Sequence, residues 1–325
     1  MAGRSGNRIL RNVLLRLLYG VASLVFISLV TFLADEIAPG DAALVRMGEK
    51  NFTQERYEAL KEDMGLNRPW PVRYGEYVTN FAKGDFGQSY YGTRDPVTEI
   101  VGKVLPISVQ LAFLAILLAA TVGILLGTIG AIYENRGADR FVLSLSTMGV
   151  TIPNFVLAPV LAYFFANRLG VLPLTWEPES MMDAPKFYYM ILPVIVLAAR
   201  PMATITRLTR ASMVDTLGQE FIRLGIAKGL PAGRLYIKHG LRNAILPVLT
   251  GIGTSFGYLM TGSFIVETAF LIPGIGHEAI NAIQKGDMPV IMACVIITGF
   301  LFIAVNLLVD LFQQVIDPRI RESQV

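Results

Sequence analysis

Six times along this chain a run of uncharged or nearly uncharged, mostly apolar residues reaches the length of a membrane crossing. Leu17 to Ala34, Val104 to Tyr133, Phe141 to Asn167, Asn243 to Val266 and Met288 to Val309 hold no Asp, Glu, Lys or Arg, and Phe187 to Thr206 holds only Arg200. About 20 apolar residues are needed to cross the hydrocarbon as a helix. Lipid offers no partner to backbone N–H and C=O groups, so a spanning segment is either a helix or part of a closed barrel. The period-2 alternation of a barrel is missing, which predicts an all-α polytopic protein with six transmembrane helices. A composition of 53% hydrophobic and 16% charged residues agrees.

The first run follows Arg4, Arg8, Arg11 and Arg16, as a secretory signal would. It is longer than a typical signal core, and "FLADEIAPGD" offers no A-x-A cleavage site, so it reads as an uncleaved first span. Orientation comes from the basic residues. Four precede the first span, two lie in "ENRGADR", seven fall between Arg207 and Arg242, and two sit at the C-terminus. The short loops on the other side carry few, Lys186 and Lys285 among them. The loop after the first span has nine, but at roughly 70 residues it escapes the positive-inside bias. Both termini are expected in the cytoplasm.

This divides the chain into residues 1–34, a cytoplasmic N-terminus and first span; 35–103, an extracytoplasmic cap; and 104–325, a five-helix core. Within the cap, Tyr57, Leu60, Met64 and Leu66 are spaced as on a short amphipathic helix, which Pro69 and Pro71 should end. "NFT" at Asn51 matches a glycosylation sequon, a pattern too common to carry weight.

Several classes are excluded or disfavoured. A formal charge of +3 gives no footprint for nucleic acid. Cys294 is the one cysteine and His239 and His277 the two histidines, so neither an internal disulfide nor a metal cluster is expected. No G-x-x-x-x-G-K-[ST] phosphate loop occurs, so the chain itself should bind no ATP and no other cofactor. Ser255 and Ser263 lack the context of a nucleophile, which disfavours an intramembrane serine protease. The absence of an evident internal repeat disfavours an ion-driven secondary transporter.

Between the fourth and fifth spans lies "EFIRLGIAKGLPAGRLYIKHGLRNAILPV", Glu220 to Val248. Gly229-Leu230-Pro231 should end one helix and start another. Before the break Phe221, Leu224 and Ile226 are apolar while Glu220, Arg223 and Lys228 are polar; after it Leu235, Ile237 and Leu241 alternate with Arg234, Lys238 and Arg242. From spacing alone, a basic helix lying on anionic lipid and a hairpin docked in a partner are equally open.

Inside the spans, Gly123 with Gly127 and Gly253 with Gly257 form G-x-x-x-G, suited to close packing within the chain or against a second copy of the fold. Pro153 and Pro159 should kink the third span next to Asn154, lining a passage or only bending a helix. Arg200 costs roughly 2.5–3.5 kcal/mol at mid-membrane unless paired or hydrated. It either pairs with a carboxylate or helix end, or lines a pathway and meets a substrate carboxylate. Asn306 and Asp310, one turn apart, suit hydrogen bonds to neighbouring helices.

The Glu220–Val248 segment and what precedes it resemble the cytoplasmic EAA loop of ABC importer permeases, in the dipeptide, oligopeptide and nickel branch. That pattern runs R-x-x-R-x-S-M, then R-x-A-x-A-K-G-L, then R-N-A-x-L-P. Arg207, Arg210, Ser212 and Met213 match the first part; Arg223, Ala227, Lys228, Gly229 and Leu230 the second; Arg242, Asn243, Ala244, Leu246 and Pro247 the third. Gly225 stands where alanine is usual. The resemblance continues through "APGD" at Ala38, "MGLNRPWPVRY" at Met64, "GDFGQS" at Gly84, "LPISVQLA" at Leu105, "IPNF" at Ile152, "LGVLP" at Leu169, "ETAFLIPGIG" at Glu267 and "DPRIR" at Asp317.

The resemblance implies a type I importer permease fold and a non-catalytic subunit of a bacterial cytoplasmic-membrane importer. Its coupling loop, 207–243, would dock on an ATPase through Glu220, Phe221, Arg223, Leu224, Ala227, Lys228, Gly229, Leu230, Pro231 and Arg234. It further implies a second homologous permease, two ATPases holding ATP and Mg (identical, different or fused), and an extracytoplasmic binding protein facing the cap and the Glu267–Pro289 region. Peptides are the expected cargo, with nickel chelates, glutathione or another small solute as alternatives.

Overall fold

A computed structural model of the chain describes residues 2–37, 42–47, 53–91, 94–176 and 186–316. The blocks at Ala38–Asp41 and Asp317–Arg321, the sequon at Asn51 and the side chain of Asp310 lie outside the described residues. Those described form helices α1 (Ala2–Ile37), α2 (Ala42–Met47), α3 (Gln54–Asp63), α4 (Trp70–Ala82), α5 (Val97–Ile132), α6 (Gly137–Thr151), α7 (Asn154–Ala162), α8 (Lys186–Leu217), α9 (Glu220–Ala227), α10 (Arg242–Ala269), α11 (Ile275–Lys285) and α12 (Met288–Ile316). π-helical turns at Tyr163–Arg168 and Arg234–Leu241 extend α7 and precede α10. Among the described residues, extended pairing is confined to one isolated bridge, Gln88 to Pro96.

Four helical stretches are long and apolar enough to cross a membrane alone: Leu14–Ile37, Val97–Ile132, Phe187–Leu217 and Met288–Val309. Two bent pairs, Gly137–Thr151 with Asn154–Arg168 and Arg234–Leu259 with Ser263–Ala269, raise the number to six if each is one span. The first pair turns by 105°. The proline expected to kink the third span therefore breaks it. Pro153 has no N–H to continue α6, and as the cap of α7 it sits at φ −65°, ψ 147°, outside the helical region. Pro159, by contrast, stays inside α7.

The chain divides into two compact units, Met1–Ser108 with Pro273–Ile303, and Val109–Ile272 with Ala304–Val325. In the first, Phe32 of α1 and Met288, Met292 and Ile296 of α12 form a core, against which Leu24, Tyr74, Tyr77, Phe81 and Tyr90 pack. Tyr74 and Tyr77 come from α4, a helix that Pro69 and Pro71 start, since proline's fixed φ suits a first turn. The preceding helix, α3, ends before the prolines expected to stop it, at Asp63, where Gly65 at φ +66° turns the chain. Buried Asp287 accepts hydrogen bonds from the Ser89 hydroxyl and, at 3.1 Å, from the Tyr90 N–H. Arg73 pairs with Glu36 at 2.8 Å and lies over the Phe32 ring.

In the second unit α8 is the central helix, packed by α6 and α10. Leu192, Leu197, Ile205 and Met213 along it are fully buried. Close approach depends on missing side chains. A Cβ on Gly123 would stand 2.9 Å from Ile205 Cγ2, and one on Gly127 2.5 Å from the Thr206 carbonyl. A Cβ on Gly253 would overlap Val309 of α12. Gly123, Gly127 and Gly253 therefore serve packing within the chain.

Candidate functional site

The hairpin after α8 is built around a helix end. Gln219 caps α9 from an extended conformation, and Lys228 closes it. Beyond Lys228, Gly229 adopts φ +72°, its N–H bonds the Ile226 carbonyl at 2.9 Å, and the Leu230 N–H reaches back to Gly225 at 3.1 Å. This pair of bonds is the Schellman arrangement, and it needs a residue at ease in the left-handed region. An apolar contact goes with it: a Cβ on Gly225 would lie 3.1 Å from Leu230 Cδ1 and 2.9 Å from Leu235 Cδ1. Glycine in place of alanine at 225 lets two leucines close over the helix.

Two residues anchor α9 and its continuation: Ile222 is 2% exposed and Leu235 is 5%. Burying an isoleucine of this kind contributes about 1.5–3 kcal/mol. With Ile222 and Gly225 turned inward, Phe221, Leu224 and Ile226 are left outside at 45%, 56% and 61% exposure. The apolar residues that define the amphipathic pattern are thus the outward ones. The residue that holds the helix down, Ile222, sits between Phe221 and Arg223 and does not stand out in the pattern. The other residues expected to couple, Glu220, Arg223, Ala227, Lys228, Gly229, Pro231 and Arg234, are exposed as well, and Leu230 is half-buried.

Beneath the hairpin lies a rigid base. Ala131 of α5, Met213 of α8 and Ala244 of α10 form a buried cluster joined by Val214, Leu217 and Leu241. Gly240 settles onto it, with room for no more than a methyl between itself and Leu217 and Met213. Beside it Arg210 grips Asp139 with two hydrogen bonds, Nε to Oδ1 at 2.5 Å and Nη2 to Oδ2 at 2.7 Å. Asp139 is 2% exposed and also accepts the N–H of Asn135, a residue at φ +61°. A two-pronged guanidinium–carboxylate pair fixes orientation as well as distance. Nothing in the pattern of apolar runs singles out Asp139; the available signal was an acid in the first turn of α6 after the turn-forming "ENRG".

Arg200, at the middle of α8, is exposed. Its Nη1 donates to the Tyr258 hydroxyl at 2.9 Å, and its guanidinium carbon lies 5.1 Å from the centre of that ring. The partner is an aromatic hydroxyl on α10 where a carboxylate or helix end was the pairing expected. Along α8 the exposed positions continue through Thr204, Arg207, Ala211 and Asp215; along α10 they include Thr254 and Tyr258. The Arg207 and Arg210 of the loop pattern part company here: Arg210 goes into the Asp139 clamp and Arg207 to the exposed face. Pro153 and half-buried Asn154 stand at the α6–α7 bend, on a different element from Arg200. Ser263 is buried, and among the described residues its Oγ has no hydrogen-bond partner. Among the described residues no general base stands at hydrogen-bond distance from it.

Helices of membrane-crossing length carrying a short hairpin with an outward apolar face make an integral-membrane architecture. Comparison with known proteins places it more closely. Residues 123–322 match the family described as binding-protein-dependent transport system inner membrane component, and residues 9–112 match its N-terminal companion. The chain belongs to this family. It is 35% identical over 95% of its length to a probable peptide ABC transporter permease protein of Sinorhizobium fredii, 98% of which is covered. It is 34% identical over 96% to the oligopeptide transport system permease protein of Haemophilus influenzae (99% covered), and 36% identical over 92% to the dipeptide transport system permease protein of Bacillus subtilis (94% covered). In fold it is similar to a solved amino acid ABC transporter chain with histidines, at a TM-score of 0.52, 16% identity, covering 67% of this chain and 94% of that one.

Proposed function

We propose that the chain is one of two homologous permease subunits that together form the translocation pathway of an ATP-driven importer. The importer brings peptides, delivered by an extracytoplasmic binding protein, across the bacterial cytoplasmic membrane. Each bent helix pair counts as one span, giving six with both termini in the cytoplasm and residues 35–103 outside. The importer's ATP and Mg sit on two separate ATPase subunits, identical, different or fused; this chain hydrolyses nothing. The names of the relatives support peptides as cargo, ahead of nickel chelates, glutathione or another small solute.

The observation that carries the reading is the exposed apolar face of α9. Phe221, Leu224 and Ile226 stand out from a helix held by a structured corner and a buried anchor. A stiff helix with apolar knobs fits a pocket on a partner, with Glu220, Arg223, Lys228 and Arg234 setting register around it. Gly229, Leu230 and Pro231 make the corner through which a push reaches α10, and Ala227 gives the close side of the helix end. An exposed apolar face flanked by basic residues also suits a helix lying on anionic lipid, and co-purification of the ATPases separates the two readings.

The test is purification of the complex followed by uptake in proteoliposomes. Stable co-purification of two ATPases, with peptide uptake that stops when ATP is depleted, is the expected result. Uptake by this chain alone, driven by an ion gradient, would instead identify a secondary transporter. Mass spectrometry of the ligand carried by the binding protein decides between a peptide and the other solutes.

A further inference from the structure

The exposed face shared by α8 and α10 holds chemistry that neither membrane insertion nor ATPase docking uses. Arg200 lies about 20 Å along α8 from Lys186, about two-thirds of the way through a roughly 30 Å hydrocarbon core if the helix spans it from there. A cation there does not face lipid unaided. Its guanidinium carries five N–H donors, and Tyr258 takes one of them. Arg200 is exposed, which leaves its remaining donors accessible to a ligand. One turn toward the cytoplasm Thr204 and Thr254 are exposed on the same two helices, and Arg207 follows on α8. The Tyr258 hydroxyl and the ring, 5.1 Å from the guanidinium carbon, together position the group, and a positioned planar fork recognises a carboxylate by two parallel hydrogen bonds.

We propose that Arg200, oriented by Tyr258, is a station for the substrate's carboxylate on the translocation face, and that Arg207 is the next cationic position along it. This rests on the peptide-import reading. The chemistry selects the C-terminal carboxylate, the one anionic group common to all unmodified peptides. The station therefore acts on the shared end of the cargo and leaves side chains unread.

The complete transporter, reconstituted with its binding protein, tests the station. Uptake of a tripeptide with a free carboxylate should fall by roughly 10- to 100-fold in Arg200→Gln, the loss expected for a charge-assisted contact. Arg200→Lys should recover part of it, and Tyr258→Phe should fall between. A tripeptide ending in photo-leucine should crosslink, during turnover, to the turns of α8 and α10 that bear Arg200 and Tyr258, and should lose that crosslink in Arg200→Gln. Unchanged uptake in Arg200→Gln, a crosslink elsewhere, or loss of the second permease on purification would each overturn the station while leaving peptide import standing. Wild-type transporter that imports no peptide would reject the import reading itself.

Discussion

At the scale of single residues, Gly229 and the Arg210–Asp139 pair carry the most. Gly229 sits at φ +72° with its N–H bonded to Ile226. Alanine there strains the corner by about 1–2 kcal/mol, while proline also removes the hydrogen bond and cannot take a positive φ. Gly229→Pro is expected to leave the spans inserted yet separate ATP hydrolysis from uptake, and parallel measurement of both in proteoliposomes checks it; normal coupling would return the segment to a lipid-bound surface helix. Asp139 is nearly sealed from solvent, so replacing Arg210 strands a carboxylate. Arg210→Ala should cost on the order of 3 kcal/mol and lower the thermal transition in detergent. Asp139→Asn, which keeps the shape and one acceptor, should cost less.

At the scale of elements, short helices owe their placement to a few contacts and long ones to close packing. α9 has eight residues, too few to persist by propensity alone. Ile222, the Gln219 start and the Gly229 corner hold it, and this leaves its outer face for a partner. Phe221→Ser with Leu224→Ser should abolish co-purification of the ATPases without reducing the amount of chain in the membrane, since neither side chain supports the fold. Gly127 is the contrary case. Its missing side chain lets α5 touch the α8 backbone, and Gly127→Leu should disrupt the packing of the second unit and reduce the yield of folded protein in detergent, by overpacking of 1–3 kcal/mol or more. Proline also reads differently at this scale: Pro153 breaks a span, Pro159, Pro193, Pro201 and Pro247 lie inside helices, and Pro71 starts one.

For the whole molecule, the expectation to check is which side each segment faces. Cys294 is fully buried, so Cys294→Ala, which puts no unpaired hydroxyl in the core, gives the cysteine-free background. Single cysteines at exposed Glu76 and Ala138 should then react with an impermeant maleimide from opposite sides of the membrane, Glu76 from outside and Ala138 from the cytoplasm. Labelling of both from one side would overturn the six-span topology.

The apolar runs, the basic bias and the Gly-Leu-Pro corner were legible in the sequence because each depends on residues close together in the chain: insertion counts apolar residues in one stretch, and a helix end needs one glycine in one place. The family, too, could be recognised from ordered local blocks. What only the tertiary structure decided are the contacts between residues far apart. It assigned Gly123, Gly127 and Gly253 to packing within the chain, sent Arg210 to a carboxylate 71 positions away and Arg200 to a tyrosine 58 away, and turned Ile222 rather than Phe221 or Leu224 inward. In a short helix whose apolar residues fall on more than one face, periodicity alone does not mark the buried one. The shape of the neighbouring helices does.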